Sequence, residues 1–353
     1  MSKTIVVAMS GGVDSSLAAA LLVEQGHRVI GVTMKTFCYS ENAGPSKTCC
    51  GLDGIMDAKH VADKLGMPHY VFDMEEAFTA SVIDDFVHEY AHGRTPNPCV
   101  RCNSNTKIPD LLRRARGFGA DVIATGHYAR VLGDGRLARG LDLNKDQSYF
   151  LWGVPKEVLS HLLFPVGELS KPEVRAKARQ LELVTADKPE SQEICFVPNG
   201  DYGDFLKGRL GDAHPSLAAG HLVTSSGEVV GEHNGFARYT VGQRKGLGGG
   251  RGRALYVLGV KPETNEVVIG EEDELLRSDV VLGDLNWLDD APRVGEEMMV
   301  QVRHRARAVS CVVQAVNDET VSLQLHEPQR AITPGQSGVL YRDQIVAGGG
   351  RIR

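Results

Sequence analysis

Two hydrophobic periods alternate through the first 130 residues. Thr4 to Ala8 is a β-branched apolar run suited to a buried strand. Residues 14–25 repeat Leu17, Leu21 and Leu22 at helical spacing and stop at Gly26, and 29–32 reads as strand again. Further helix is expected over 53–65, 77–91 and 108–116, and strand over 69–72 and 121–124. Serial βαβ units predict an α/β domain built on a doubly wound parallel sheet covered by helices. After about Asp201 the helical period fades. Short strands are expected at 221–223 and 228–230, around the turn Ser225-Ser226-Gly227. From Asp279 onward, apolar runs at 280–282, 299–302, 308–313, 321–325 and 338–341 recur roughly every ten to eighteen residues, the pattern of a small β-barrel or sandwich. Three domains follow: an α/β domain over 1–206, a small β-rich domain over 207–274 and a C-terminal β domain over 275–353.

Charge sharpens this division. Six basic residues face one acidic residue between Arg94 and Gly117, and six face none between Gly235 and Pro262. Between Glu263 and Met298 the balance reverses to twelve acidic against two basic. The two basic stripes are either solvated faces or polyanion-binding surfaces, although the net charge of −6 excludes a uniformly basic coat. No run of eighteen apolar residues occurs and the N-terminal segment has no secretory pattern, so a cytoplasmic chain with no membrane partner is expected. Seven cysteines, an odd number, argue for reactive or metal-binding thiols over a disulfide framework.

Candidate chemistry begins where the first strand ends, in Ala8-Met9-Ser10-Gly11-Gly12-Val13-Asp14-Ser15-Ser16. In an open α/β sheet this is the ligand crevice, where a helix N-terminus offers unpaired N–H groups to an anion. Gly11 and Gly12 let the backbone approach phosphate closely, and the hydroxyls of Ser10, Ser15 and Ser16 can donate. Asp14 would repel a phosphate unless a cation lay between them, which implies Mg²⁺. The plainer alternative is that Ser10 or Asp14 caps the helix. The loop matches neither the Walker A nor the dinucleotide spacing.

A second constellation is Gly93-Arg94-Thr95-Pro96-Asn97-Pro98-Cys99-Val100-Arg101-Cys102-Asn103. Its prolines predict a rigid loop, with Cys102 at the start of the following helix beside Arg101, where dipole and cations favour a thiolate. C-x-x-C is also a zinc-ligand pair, but no second pair accompanies it. Cys195 stands 93 residues later in Ser191-Gln192-Glu193-Ile194-Cys195-Phe196. By itself it reads equally well as a small core residue.

Ser-Gly-Gly-Val-Asp-Ser-Ser after a first strand resembles the pyrophosphate-binding loop of the N-type ATP pyrophosphatases, the PP-loop superfamily. Those enzymes cleave ATP to AMP and pyrophosphate and adenylate an oxygen of their substrate. The whole chain resembles the bacterial tRNA 2-thiouridylases. The match runs through that loop, Met34, Pro96-Asn97-Pro98 with Cys102-Asn103, Ala124-Thr125-Gly126-His127-Tyr128, Lys145-Asp146-Gln147-Ser148-Tyr149-Phe150, residues 190–196, residues 239–248 and Thr333-Pro334-Gly335-Gln336.

The resemblance implies a PP-loop ATPase domain, a small β-rich central domain and a C-terminal β-barrel, together acting as a tRNA-uridine 2-sulfurtransferase. ATP would be held by Ala8, Met9, Ser10, Gly11, Gly12, Val13, Asp14 and Ser15, with Met34 and Gly126 framing the adenine. It implies adenylation of the C2 oxygen of the wobble uridine, then replacement of that oxygen by sulfur. Cys195 would carry the sulfur as a persulfide received from a cysteine desulfurase or sulfur-relay protein, and Cys102 would assist its release, leaving a transient Cys102–Cys195 disulfide. Implied tRNA contacts are Asn97, Pro98, Cys99, His127, Lys145, Asp146, Gln147, Arg303, His304 and Gln336, with the basic stripe from Arg238 to Arg253 as a phosphate surface. The base would have to leave its stack to be reached.

One departure is Cys99, where many family members carry an aspartate thought to assist proton transfer. Cys99 could titrate in its place, stand by, or join Cys102 and Cys195 around an iron–sulfur cluster. Two other readings stay open: a synthetase acting on a small metabolite, and a zinc-containing RNA-binding protein without catalysis.

Overall fold

The computed structural model describes residues 2–37, 51–190, 194–197, 200–247 and 254–353. Cys38, Cys49, Cys50, Ser191 to Glu193, Gly248, Arg251 and Arg253 lie outside them. The N-terminal unit is a five-stranded parallel sheet in the order His69–Asp73, Arg28–Lys35, Thr4–Ala8, Val122–Ala124, Leu162–Leu163. Chain order reverses beside the central strand Thr4–Ala8, which pairs with Arg28–Lys35 on one side and Val122–Ala124 on the other. Ile5, Val6 and Val7 are fully buried because helices cover both faces. One cover is Val13–Glu24, which buries Val13, Leu17 and Leu22.

Expected elements recur with shifted ends, and two helices are less regular than their hydrophobic period suggests. The expected helix 77–91 is α-helical over Glu75–Phe78, π-helical over Thr79–Ile83 and α-helical again over Asp84–Ala91. The expected helix at 108 begins ten residues earlier, as Pro98–Arg101, and passes through a π segment at Cys102–Lys107 into Ile108–Arg116. The prolines are compatible with helix because Pro98 occupies its first turn, where no N–H is required. Cys102 therefore sits one turn inside a helix, which corrects the expectation that it opens one. The two π segments meet at a hydroxyl pair, Ser81 to Thr106 at 2.6 Å.

The central unit is a four-stranded sheet in the order Tyr256–Lys261, Glu266–Gly270, Ala219–Thr224, Val229–Asn234. The helix Tyr202–Leu210 spans the boundary expected at 206 and packs Leu206 into the same apolar cluster as that sheet. The C-terminal unit runs Leu276–Trp287, Val321–Arg330, Val309–Val316, Glu297–Gln301, Ser337–Arg342, Ile345–Ile352, and pairing of the last strand with the first closes it into a six-stranded barrel. The N-terminal unit lends this sheet a hairpin, Ala129–Val131 and Leu137–Arg139, through Ala138 opposite Ile345. The segment was too short to read as strand from sequence.

A cluster at the junction of N-terminal and central units packs Phe78, Phe86 and Phe196 with Leu222, Val257 and Val267. Phe86 lies edge-on to Phe196 at 5.1 Å and to Tyr90 at 4.9 Å. Replacing Phe86 with alanine should cost about 3–5 kcal/mol, as large-to-small changes at fully buried aromatics do. Urea denaturation and limited proteolysis would register the loss, the latter as early cutting near residue 197.

Candidate active site

Strand Thr4–Ala8 ends in Met9, whose side chain is 2% exposed beneath the sheet, so Ala8, Met9 and Val13 offer only backbone to a ligand. Gly11 takes φ +70, and a Cβ there would fall 2.2 Å from the carbonyl oxygen of Gly54, so only glycine fits. No side chain caps the helix Val13–Glu24. The capping alternative for Ser10 or Asp14 is thereby set aside, and the first N–H groups of the helix have no capping side chain. Opposite them Gly126 approaches so closely that a Cβ would come within 2.6 Å of the Ser15 nitrogen.

One expectation for this loop needs correction, and its carboxylate gains a partner from the chain. Ser15 and Ser16 donate their hydroxyl protons to the Gly12 carbonyl at 3.1 and 2.9 Å, so those protons brace the helix start. The cation beside Asp14 is supplied by the chain. Lys171 places Nζ 2.8 Å from each carboxylate oxygen, and the Tyr128 hydroxyl donates to Oδ1 at 2.7 Å. Burial and the Asp14 charge push the Tyr128 phenol far up, so it remains a donor. Lys171 thus answers part of the Asp14 charge from within the chain. Lys188 adds a second cation, 3.0 Å from the Gly11 carbonyl and 2.5 Å from Asp57. Glu190 accepts from Lys145 at 2.8 Å and lies 3.1 Å from Lys171. Sequence reading missed Lys171, Lys188 and Glu190 as site residues. Glu190 opened the matched stretch 190–196 without being assigned a role, and the signal for Lys171 was the capping box of Ser170 and Glu173 at the start of its helix.

Met34 lies on the neighbouring strand, 9% exposed. The residue after Gly126, His127, hydrogen-bonds Thr125 Oγ1 through Nδ1 at 2.7 Å, and burial, aided by Lys107, lowers its pKa to about 3. Lys145 is part-exposed, whereas Asp146 is sequestered. The Asp146 carboxylate accepts from Arg139 at 2.7 Å, from the Gly140 and Ser148 nitrogens and from the Ser148 hydroxyl. Gln147 clamps Tyr128, its side chain accepting from the Tyr128 nitrogen at 3.0 Å.

The thiol-bearing helix starts at Asn97, whose side chain accepts from the Val100 nitrogen at 3.3 Å. Pro98 is buried and Cys99 exposed. Cys102 and Cys195, both part-exposed, border the single apolar cluster that contains Phe86 and Phe196. Residues 93 apart in sequence thus pack against one cluster. Cys311 is buried in the barrel, which pushes its thiol up to about 12 and makes it inert. Among the described residues no three His, Cys, Asp or Glu side chains are grouped so as to hold a metal ion, so Cys99, Cys102 and Cys195 do not form a cluster cradle here.

Two barrel residues expected to touch nucleic acid also have partners within the chain. Gln336 donates Nε2 to the carbonyls of Thr95 and Pro96 at 3.1 and 2.9 Å, gripping the loop before Asn97. Arg303 donates to the carbonyls of Arg330 and Ala331 at 3.2 and 2.8 Å. His304 lies tilted beside Phe150 with ring centroids 4.2 Å apart, and burial lowers its pKa. The Asp146 carboxylate, Arg303 Nη2 and Gln336 Nε2 thus have hydrogen-bond partners within the chain.

These features define a class: an α/β domain with a glycine loop after its first strand, two part-exposed thiols bordering one apolar cluster, and two β modules packed against it. The models for the tRNA methyl transferase HUP domain, the tRNA methyl transferase PRC-barrel domain and the aminomethyltransferase beta-barrel domain match residues 3–199, 203–271 and 277–352. The tRNA-specific 2-thiouridylase MnmA of Carboxydothermus hydrogenoformans is 48% identical over 99% of this chain and 97% of that protein. The enzyme of the same name from Geobacter metallireducens is 48% identical over 99% and 96%, and that from Salinibacter ruber 45% over 100% and 95%. The chain belongs to the tRNA-specific 2-thiouridylase family.

Two outcomes follow from this geometry. Gly126→Ala should weaken adenine-nucleotide binding at least tenfold, about 1.4 kcal/mol, in titration calorimetry, because its Cβ displaces the helix start. His127, neutral in the folded chain, has a pKa below its unfolded value. It therefore destabilises the fold as pH drops from about 6.5 toward 3. His127→Asn should flatten the fall in stability between pH 7 and 4.5, measured by urea denaturation at both.

Proposed function

We propose that this chain is an ATP-dependent tRNA-uridine 2-sulfurtransferase that converts the wobble uridine of tRNA to 2-thiouridine, releasing AMP and pyrophosphate. The observation carrying this reading is the placement of Cys102 and Cys195 around one apolar cluster, 93 residues apart in sequence. An adenylating loop alone would suit many acceptors; paired thiols suit sulfur.

ATP lies with its phosphates on the N–H groups of the helix Val13–Glu24, Lys171 and Lys188 offering positive charge to the departing pyrophosphate. Asp14 and Asp57 are the carboxylates that could hold Mg²⁺ carried in by the triphosphate. The uridine C2 oxygen attacks the α-phosphate, the bond to pyrophosphate breaks, and a poor leaving group becomes AMP. Cys195 holds a persulfide received from a cysteine desulfurase or sulfur-relay protein. Cys102 thiolate attacks the Cys195 sulfur, and the bond to the terminal sulfur breaks. That sulfur takes C2, and AMP leaves with the oxygen. A Cys102–Cys195 disulfide remains, which a dithiol reductant returns to two thiols. No step passes through an iron–sulfur cluster.

The flipped base rests at Asn97 to Cys99, with Lys145, Gln147, His127 and His304 facing tRNA and Asp146, Arg303 and Gln336 supporting that surface from within. Cys99 takes no acid–base part in this scheme. Lys145 would exchange its exposed pairing with Glu190 for a phosphate, a change of small cost. No helix among the described residues is long and apolar enough to cross a membrane, in keeping with a cytoplasmic site of action.

Nucleoside mass spectrometry after incubation with ATP, Mg²⁺, a persulfide donor and unmodified tRNA should show 2-thiouridine. Cys195→Ser and Cys102→Ser should each lower it at least a hundredfold while tRNA-stimulated AMP release persists. Thiolation by Cys195→Ser at the unaltered rate would refute the scheme.

A further inference from the structure

The helix Asp84–Ala91 turns Asp85 and Glu89, four residues apart, to one side. Both receive the same guanidinium, that of Arg351 on the last barrel strand. Arg351 bonds Asp85 and places Nη1 3.0 Å from Glu89 Oε1, with 16% of its side chain exposed. Glu89 is itself 3% exposed and accepts from Arg94 at 2.8 and 2.6 Å. Burial raises the Glu89 pKa, but Arg94 and Arg351 outweigh it and hold the carboxyl below its usual range. Asp85 also meets Arg101 at 3.2 Å, and barrel residue Asp284 lies 3.9 Å from Arg101 and 3.7 Å from Arg351.

Arg94 and Arg101 bracket the segment that presents the base, and the next residue is Cys102. Between them the barrel grips the chain again, with the Thr95 nitrogen donating to the Pro334 carbonyl at 2.8 Å. Gly335, at φ +90, approaches so closely that a Cβ would stand 2.8 Å from the Thr95 oxygen. The network is a poor stabilising device. Buried ion pairs seldom outperform apolar packing, and Asp85 Oδ2 is buried with no hydrogen-bond partner. Planar, two-pronged contacts do fix orientation.

We propose that Arg351 is a positioning residue for sulfur transfer: through Asp85 and Glu89 the barrel sets the orientation of the turn carrying Cys102, while nucleotide handling at residues 10–15 is independent of it. This rests on the function proposed above. Misplacing a reacting group by an ångström can cost about a hundredfold in rate.

The test uses the full chain carrying Arg351→Ala, Arg351→Lys or Asp284→Asn, with Arg342→Ala as a barrel-charge control. Arg351→Ala should lower kcat for 2-thiouridine by about 10- to 100-fold. tRNA-stimulated AMP release and KM for tRNA should stay within about threefold of the unaltered chain. Arg351→Lys should recover part of the rate, and Arg342→Ala should keep it. The alkylation rate of Cys102 by iodoacetamide, read by peptide mass spectrometry without tRNA, should shift more than about threefold in Arg351→Ala. Equal losses of AMP release and thiolation, a loss confined to KM, or unaltered alkylation would overturn the proposal. If Arg351→Ala does not fold, the same readouts on Arg351→Lys and Asp284→Asn decide. If the unaltered chain makes no 2-thiouridine, the functional reading fails, and the alkylation rates alone judge the network.

Discussion

Cys195 belongs to no helix or strand, and what holds it is the burial of its neighbour. Phe196, 1% exposed, inserts among Phe78, Phe86 and Phe205 with ring centroids 5.8, 5.1 and 5.3 Å away. An irregular segment gains its position from that aromatic anchor, because an apolar ring has one favourable place to go and a thiol beside it follows. Cys102 borders the same cluster from the helical stretch opened by Pro98. In the proposed sulfur transfer, the position of both thiols therefore depends on apolar packing between the N-terminal and central units.

Charge does the complementary work at the nucleotide crevice. Three carboxylates, Asp14, Asp57 and Glu190, are matched by Lys145, Lys171 and Lys188 within about salt-bridge distance. Lys171, 7% exposed, is the most constrained of the lysines. In the proposed reaction, a triphosphate at the uncapped helix start would meet cations held in place by carboxylates, so the site would need little reorganisation to receive negative charge. The barrel contributes at a distance, through Gln336 and Arg351, by fixing the chain around Asn97 and Cys102.

Much of this was legible from residue order, in proportion to how local the governing physics is. The strand at Thr4–Ala8, the glycine loop and the helix after it are set by side-chain period and backbone permissiveness, and both are properties of neighbours in sequence. The hairpin at 129–139 was invisible because each strand has only three residues and gains its stability from the barrel strand Ile345–Ile352. The π segment at Cys102–Lys107 was invisible as well, since its period differs from that of an α-helix by a fraction of a residue per turn.

Side-chain roles divide along the same line. Residue order alone determined the alternation that builds the sheet and the glycine at position 11 that the loop's turn requires, while the sulfur roles of Cys102 and Cys195 came from family resemblance and not from the residues themselves. Only tertiary structure decided that Lys171 answers Asp14 across 157 residues, that Gln336 grips the Thr95 carbonyl across 241, and that Asp146 is enclosed. Such pairings depend on distances through space between elements far apart in the chain, and no periodicity in a sequence encodes them.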